Sequence, residues 1–161
     1  MKPRTTTLLA LAALLAAPAV LAGEAMTIQK ATITLELARK VCDAAVAEAR
    51  RNQAGGAIAV VDDGGHLVYL ARLDGTFPAA ATVAVEKART AATFRKPTRD
   101  FEEAIKNGRT SLLAVDVMTP LQGGVPIVAE GQVVGAVGVS GAASAQQDDD
   151  IAKVAVAAVE Q

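Results

Sequence analysis

Alternation of apolar and polar positions predicts two β-hairpins in this chain. In Gly123–Gly141, GGVPIVAEGQVVGAVGVSG, two β-branched runs flank the turn residues Glu130 and Gly131, a pattern typical of a tight hairpin. Ala57–Val61 is a compact apolar run, and His66–Arg72 follows it after the turn sequence DDGG. Runs of this length separated by turn residues indicate a second hairpin. The two hairpins need a further layer to cover them.

Four segments with helical periodicity are predicted to form the layer that covers the hairpins. Apolar residues recur at spacings of three and four in four segments, as expected for helices with one buried face. The predicted helices are Leu35–Asn52, Ala79–Phe94, Asp100–Lys106 and a last helix that begins at Asp148. Ser111–Pro120 has no clear period and is expected to be a short strand or loop covering one sheet edge. The pattern predicts a single α+β domain in which helices flank an antiparallel sheet.

The core of this domain is built from small side chains. The chain has no Trp, one Tyr and three Phe, while 52% of its residues are hydrophobic. Gly135 and Gly138 interrupt the predicted last strand, and a strand glycine normally marks the close approach of another backbone, a helix or a flat ligand. An Ala-rich helix packed on the sheet and a flat ligand are both open at this stage. Small domains of this kind are candidates for stabilisation by oligomerisation.

The first 22 residues have the pattern of a secretory signal peptide. Lys2 and Arg4 precede the apolar stretch Leu8–Val20, and small residues end at Ala22. The apolar stretch is shorter than the ~20 residues of a spanning helix and contains Pro18. We expect residues 1–22 to be removed, residues 23–31 to form an N-terminal lead, and residues 32–161 to form the domain. The exported chain would have no membrane span.

Charge and cysteine content narrow the classes of partner. The formal net charge is −1, and loss of the basic residues of the signal peptide would make it more negative, so nucleic acid is not an expected partner. Cys42 is the only cysteine and cannot form an intramolecular disulfide. We expect a buried, inert thiol, with a reactive thiol as the alternative. The acidic run 148–150 fits the N-terminal end of a helix better than a metal site, because consecutive helical side chains diverge.

Several polar residues are candidates for binding. His66 is the only histidine; imidazole can ligate haem iron or act as a base, but beside a turn it is also an ordinary surface residue. Lys87 and Thr90 share a helical stripe with two apolar residues, so they would recognise an anion if the stripe faces a cavity and would solubilise the helix if it faces water. A basic cluster follows at the helix end, where it is either solvated or binds carboxylates: Arg89, Arg95, Lys96 and Arg99.

Motifs of common enzymes are missing from the sequence. Gly135–Gly141 is G-x-x-G-x-x-G rather than the dinucleotide fingerprint, and Ser140 lacks the second glycine of a G-x-S-x-G elbow. The chain contains no P-loop, H-E-x-x-H or C-x-x-C sequence. Binding is therefore favoured over catalysis, although catalysis stays open.

Four motifs in order resemble the GlcG/HbpS family of haem-binding-like (DUF336) proteins. They are the helix start at Ile33–Lys40, AIAVVDDGGHLVYLARLDG at 57–75, EKARTAATFRKPT at 86–98 and the hairpin at 123–141 followed by the acidic helix start. The resemblance covers residues 32–159. It implies a profilin-like α+β fold, assembly into a homo-oligomer, and, in secreted members, haem binding by accessory proteins of redox or iron sensing with a sensor protein as partner.

The resemblance also suggests site residues. Thr90 and Thr98 lie in its central motif and His66 in its first hairpin, so these are the candidate haem contacts, with His66 and Thr90 as candidate iron ligands. Lys87, Arg95 and Arg99 are the candidate partners of the haem propionates. We therefore expect an exported haem-binding oligomer, in the periplasm as first choice and outside the cell as second.

Two other functions compete with haem binding. The chain could be an enzyme or a binder for a small hydroxy or keto acid, in which Lys87 or His66 would act as acid or base. It could also be a purely structural assembly module that binds neither tetrapyrroles nor carboxylic acids.

Overall fold

The structure, a computed structural model, describes residues 26–159. The signal peptide expected at residues 1–22 lies outside the described residues. In chain order the elements are α1 (Leu35–Arg51), β1 (Ala57–Asp62), β2 (Leu67–Arg72), α2 (Ala79–Phe94), α3 (Thr98–Lys106), a 3-10 helix (Thr110–Ala114), β3 (Gly124–Ala129), β4 (Gln132–Ser140) and α4 (Ala145–Ala157).

The two predicted hairpins form one antiparallel sheet. Its strand order is β2-β1-β4-β3, so each hairpin contributes one central and one edge strand. β1 pairs with β4 in continuous register from Ala57 opposite Ser140 to Asp62 opposite Gly135. Pro126 lies in the edge strand β3, where the missing N–H costs no ladder hydrogen bond if it faces outward. The predicted α+β class is confirmed.

The two faces of the sheet carry side chains of different size. One face presents valine and isoleucine to α1 and α4, and the resulting core includes Ile58, Val60, Val137 and Val139. The other face presents mainly alanine to α2. Residues of a strand alternate between the faces, so the same two central strands serve both layers. The difference in size decides how closely each helix layer approaches.

Gly138 allows α2 to lie directly on the sheet. A Cβ at this position would overlap the carbonyl oxygen of Ala84 and lie 2.7 Å from the backbone nitrogen of Ala88. At Gly135 a Cβ would lie 3.1 Å from a side-chain carbon of Ile33. The strand glycines therefore accommodate the protein's own backbone and side chains, and the expectation of a flat ligand on them is wrong.

Two helices begin earlier than the sequence predicts, and one of them is α3, which begins at Thr98, two residues before Asp100. α4 begins at Ala145, three residues before Asp148, because the Ser144 hydroxyl caps it by accepting a hydrogen bond from the Gln147 N–H at 3.1 Å. Ser111–Pro120 was predicted to be a short strand or a loop, and the structure shows the loop, which begins with a 3-10 turn. That segment packs against α3, and its Thr119 N–H donates a hydrogen bond to the Thr90 hydroxyl.

Within residues 26–159, none of the helices combines the length and the apolar composition needed to cross a bilayer.

Candidate functional site

An open apolar groove runs beside the β3–β4 edge of the sheet. Its volume is about 430 Å³, and α4 and the turn after α2 form its other walls. The groove is lined by Arg95, Pro97, Val125, Pro126, Val128, Val133, Lys153, Val156 and Ala157. Apolar walls with a few polar groups at the margin are the usual composition of small-molecule sites.

Arg95 reaches the groove because α2 ends there. Its backbone adopts the left-handed conformation, with φ at 55°, and its N–H bonds to the carbonyl of Ala92 at 3.3 Å. Such a residue commonly terminates a helix, and Pro97 shortly after prevents the helix from continuing. This helix end places Arg95 in the lining of the groove.

Lys153 supplies the second cation of the groove. It lies one helical turn after Asp149 on α4, and its ammonium is 2.7 Å from the Asp149 carboxylate. The Asp149 side chain is fully buried, whereas 44% of the Lys153 side chain is exposed. Arg99 approaches the same carboxylate at 3.2 Å. The buried carboxylate thus holds two cations, one of which faces the groove.

A smaller cleft adjoins the groove. We call it the Lys30 cleft; its volume is about 200 Å³, and its lining is Lys30, Ala31, Arg95, Gly131, Gln132 and Val133. Arg95 and Val133 line both the groove and the Lys30 cleft. Lys30 forms an ion pair with Asp63, which lowers the pKa of the Asp63 carboxyl.

Lys87 is placed neither in an open cavity nor in water. Its side chain is 3% exposed, and its ammonium donates hydrogen bonds to the Val139 carbonyl at 2.9 Å and to the Asp148 carboxylate at 2.8 Å. The other oxygen of Asp148 accepts the Ala142 N–H. This buried ion pair links α2 to the start of α4. The ammonium is therefore not available to a ligand in solution in this arrangement.

The two candidate threonines are also buried. The Thr90 hydroxyl donates to the Glu86 carbonyl at 2.8 Å and accepts the Thr119 N–H at 2.9 Å. The Thr98 hydroxyl accepts the Gly124 N–H at 2.8 Å. Both hydroxyls thus satisfy main-chain groups of neighbouring segments, and iron ligation by either oxygen would require these contacts to rearrange.

His66 is exposed and lies apart from this set. Its side chain is 83% exposed, and its Nδ1 is 3.3 Å from the Asp62 carboxylate. It is not among the residues that line the groove or the Lys30 cleft. Of the six residues predicted from sequence, only Arg95 lines the groove. Arg99 does not line it, but shares the Asp149 carboxylate with the lining residue Lys153.

The other chemical candidates behave as structural groups. Burial raises the pKa of the Cys42 thiol to about 11, so at neutral pH the thiol is protonated and a poor nucleophile. Asp148 lies in the first turn of α4, as predicted for an acidic residue, and the carboxylates of Asp148 and Asp149 are both buried in ion pairs. In the described part of the chain, no group of three or more His, Cys, Asp or Glu side chains could hold a metal ion.

Sequence reasoning missed Lys153 and the Asp149 carboxylate. The available signal was the i, i+4 spacing of an acid and a lysine, which favours an ion pair on a helix. Nothing local, however, reveals that Arg99 approaches the same carboxylate from α3. The groove itself depends on the docking of α4 against the β3 edge, a contact between segments that the pattern of either one does not specify.

A polar cleft lies at another place in the fold. Its volume is about 490 Å³, and it is lined by Arg50, Gln53, Ala54, Gly55, Arg72, Leu73 and Asp74. Two arginines in one cleft can bind a carboxylate or another oxyanion through paired hydrogen bonds.

The fold and the groove define a class: a single α+β domain with an apolar binding groove bordered by cations. Residues 33–157 match the family model described as "Haem degrading protein HbpS-like". The chain belongs to this HbpS-like family, and the family expected from the sequence motifs is confirmed.

Individual relatives agree with this assignment. The chain is 46% identical over 111 residues to Protein GlcG of Escherichia coli, covering 69% of this chain and 83% of GlcG. A double mutant of Streptomyces reticuli HbpS superposes with a TM-score of 0.78 at 32% identity, covering 89% of this chain and 98% of the other. The PduOC:heme complex has a TM-score of 0.71 at 24% identity, covering 80% and 95%, and so supports the fold alone.

Proposed function

We propose that this protein binds haem, and that the apolar groove bordered by Arg95 and Lys153 is the binding site. The groove carries the proposal because it joins valine and proline walls to two cations. A tetrapyrrole has the matching chemistry, since its body is apolar and its propionates are anionic. Membership of the family described as "Haem degrading protein HbpS-like" supports the same ligand.

The residues of the groove fit the tetrapyrrole body and the propionates better than they fit the iron. Valine side chains would contact the macrocycle, and Arg95 and Lys153 would bind carboxylates. The lining contains no imidazole, thioether or thiol, which are the stronger haem ligands in proteins. His66, Thr90 and Thr98 line neither the groove nor the Lys30 cleft. They are the proposed haem contacts, with His66 and Thr90 as iron ligands, for a haem that binds outside the groove.

The test is a haem titration of the chain from Gly23 onward, followed by absorbance in the Soret region. We expect saturable binding, and a flat titration with both ferric and ferrous haem would contradict the proposal. His66→Ala, Thr90→Ala and Thr98→Ala follow as ligand variants. Because the two threonines are buried and hydrogen-bonded, loss of binding in those variants counts only if circular dichroism shows that they remain folded.

We further propose that the chain is exported and forms a homo-oligomer accessory to redox or iron sensing. The signal-peptide pattern of residues 1–22 supports export, and exposed leucine and valine side chains support self-association. An intact mass beginning at Gly23 in the periplasm or medium is the expected result for export. An unprocessed chain retained with the cells would contradict it.

A small hydroxy or keto acid is the second candidate ligand, and the polar cleft with Arg50 and Arg72 favours it. Calorimetric titration with lactate and pyruvate tests this alternative, with Arg72→Gln as the site variant. Binding that is lost in this variant would support a small-acid site. A heat of binding that is unchanged in Arg72→Gln would show that the acid binds outside the polar cleft.

A further inference from the structure

The groove and the Lys30 cleft meet at two residues that line both of them, Arg95 and Val133. A ligand that occupied both would extend across Arg95. The groove walls are largely valine and proline, whereas the Lys30 cleft adds an amide, a lysine and the backbone of the β3–β4 turn. The apolar part of a ligand would therefore lie in the groove and its polar part in the Lys30 cleft, on either side of Arg95.

The three cations along this site differ in how their charge is compensated. Lys153 is 2.7 Å from the Asp149 carboxylate, and Lys30 is paired with Asp63. Within residues 26–159, Arg95 has no acidic group within 4 Å. Its positive charge is the one that a ligand anion can neutralise without displacing a protein carboxylate.

The backbone around Arg95 fixes the position from which its side chain extends. The N–H groups of Arg95 and Lys96 bond to the last carbonyls of α2 at 3.3 and 3.2 Å, and Pro97 restricts the next step of the chain. The left-handed φ of 55° at Arg95 is part of this helix end. The guanidinium thus starts from a defined point at the boundary of groove and cleft.

We propose that Arg95 is the specificity-determining residue of this site and selects a ligand with an apolar body and two carboxylates. The body lies in the groove, one carboxylate is bound bidentately by the Arg95 guanidinium, and the second extends toward Lys30. Because Lys30 and Lys153 already have acidic partners, they contribute less to the affinity than Arg95 does. This assignment rests on the proposed function, since the two propionates of haem are the carboxylates concerned.

Affinities for haem and for haem dimethyl ester test the assignment, measured in one detergent-containing buffer with wild type, Arg95→Gln and Arg109→Gln. Arg109 is exposed and lines neither part of the site, so its variant removes the same charge elsewhere. We expect Arg95→Gln to weaken haem binding about tenfold, as for the loss of one charge-assisted hydrogen-bonded contact, and Arg109→Gln to bind as the wild type does.

The ester separates carboxylate recognition from a general structural effect. Wild type should bind the ester, which lacks both carboxylates, more than tenfold more weakly than haem. In Arg95→Gln this ester penalty should be about tenfold smaller, because only the contribution of the second carboxylate is left to lose. Arg95→Lys should recover part of the affinity, since it keeps the charge but not the bidentate geometry. Lys30→Gln and Lys153→Gln should each lose less than Arg95→Gln.

The outcomes are distinguishable. Haem binding that is unaffected by Arg95→Gln, or an ester penalty that is the same in the variant and wild type, overturns the role of Arg95 and leaves haem binding intact. Failure of wild type to bind either haem or its ester overturns the proposed function and this inference together.

Discussion

At the scale of single residues, one missing methyl group sets the distance between α2 and the sheet. Gly138 lies on the alanine face, and a Cβ there would overlap the Ala84 carbonyl oxygen. Neither atom can move alone, because the carbonyl belongs to the backbone of α2 and the glycine to a central strand. Close packing of backbone on backbone replaces the large side chains that this core lacks.

Gly138→Ala should therefore be strongly destabilising. We expect a loss of about 3 kcal/mol in the free energy of unfolding, the upper end for overpacking a core, measured by urea denaturation. Gly131→Ala is the control: its φ of 75° disfavours alanine, but a Cβ there meets no atom within 4 Å, so a cost of about 1 kcal/mol is expected. Equal losses in the two variants would show that steric overlap is not the cause.

At the scale of elements, the Lys87–Asp148 pair fastens two helices that lie on opposite faces of the sheet. α2 covers the alanine face of the sheet and α4 covers the valine face. The ion pair lies at the end of β4, where the Lys87 ammonium also donates a hydrogen bond to the Val139 carbonyl. Both charged groups are almost fully buried. Each one therefore depends on the other, because an unpaired charge in a buried site is costly.

Removing both partners of this pair should cost less than the sum of the two single removals. Lys87→Met is expected to lower the free energy of unfolding by about 3 kcal/mol, since it leaves Asp148 buried without its cation. In the double variant Lys87→Met/Asp148→Asn the losses should be less than additive, because the second change removes the orphaned charge. Chemical denaturation of the singles and the double gives the coupling energy.

An exposed ion pair provides the matched control. Lys40 and Glu36 are 2.9 Å apart on α1, with side chains 64% and 79% exposed, and Lys40→Met should not change stability measurably. If Lys87→Met were equally silent, the buried pair would have no structural role.

The order of elements and the faces of the helices could be predicted from sequence because both are periodic. The start of α1 at Leu35 and the limits of α2 are predicted correctly from local signals. The start of α4 was predicted at Asp148 because acidic residues suit a helix N-terminus, and the competing Ser144 cap was missed.

The site could be predicted only in part. Arg95 was found because the basic cluster is local in sequence. The burial of Lys87 could not be predicted, because its partners Val139 and Asp148 lie more than fifty residues away in sequence and lysine is usually exposed. The position of a side chain on a helix can be predicted from spacing, whereas the segment that will cover it cannot.

At the scale of the whole molecule, several large apolar side chains remain exposed on one segment. Leu113, Val117 and Leu121 are 64%, 72% and 46% exposed, in the stretch that follows α3. Adjacent exposed apolar residues commonly mark an interaction surface. In a small-residue domain, burial of this segment against a second copy would add the apolar area that the core itself lacks.

Self-association should therefore depend on this segment. Sedimentation is expected to give a mass that is a multiple of the single chain for the wild type, and Leu113→Glu/Val117→Glu should shift it toward the single chain while the helical spectrum is kept. Lys96→Glu, an exposed change outside the segment, controls for added negative charge. A wild type that sediments as a single chain at every concentration would contradict the oligomer proposal.

The scarcity of aromatic residues also gives the protein weak near-ultraviolet absorbance and fluorescence. With no Trp and a single Tyr, Tyr69, in the whole chain, near-ultraviolet absorbance is weak and indole fluorescence is absent. Tyr69 lies on β2, and the Arg39 guanidinium carbon is 5.7 Å from the centre of its ring. Tyr69 is not among the residues that line the groove. A coloured ligand would therefore dominate the spectrum of its complex, and Tyr69 emission would report separately on the β2 edge.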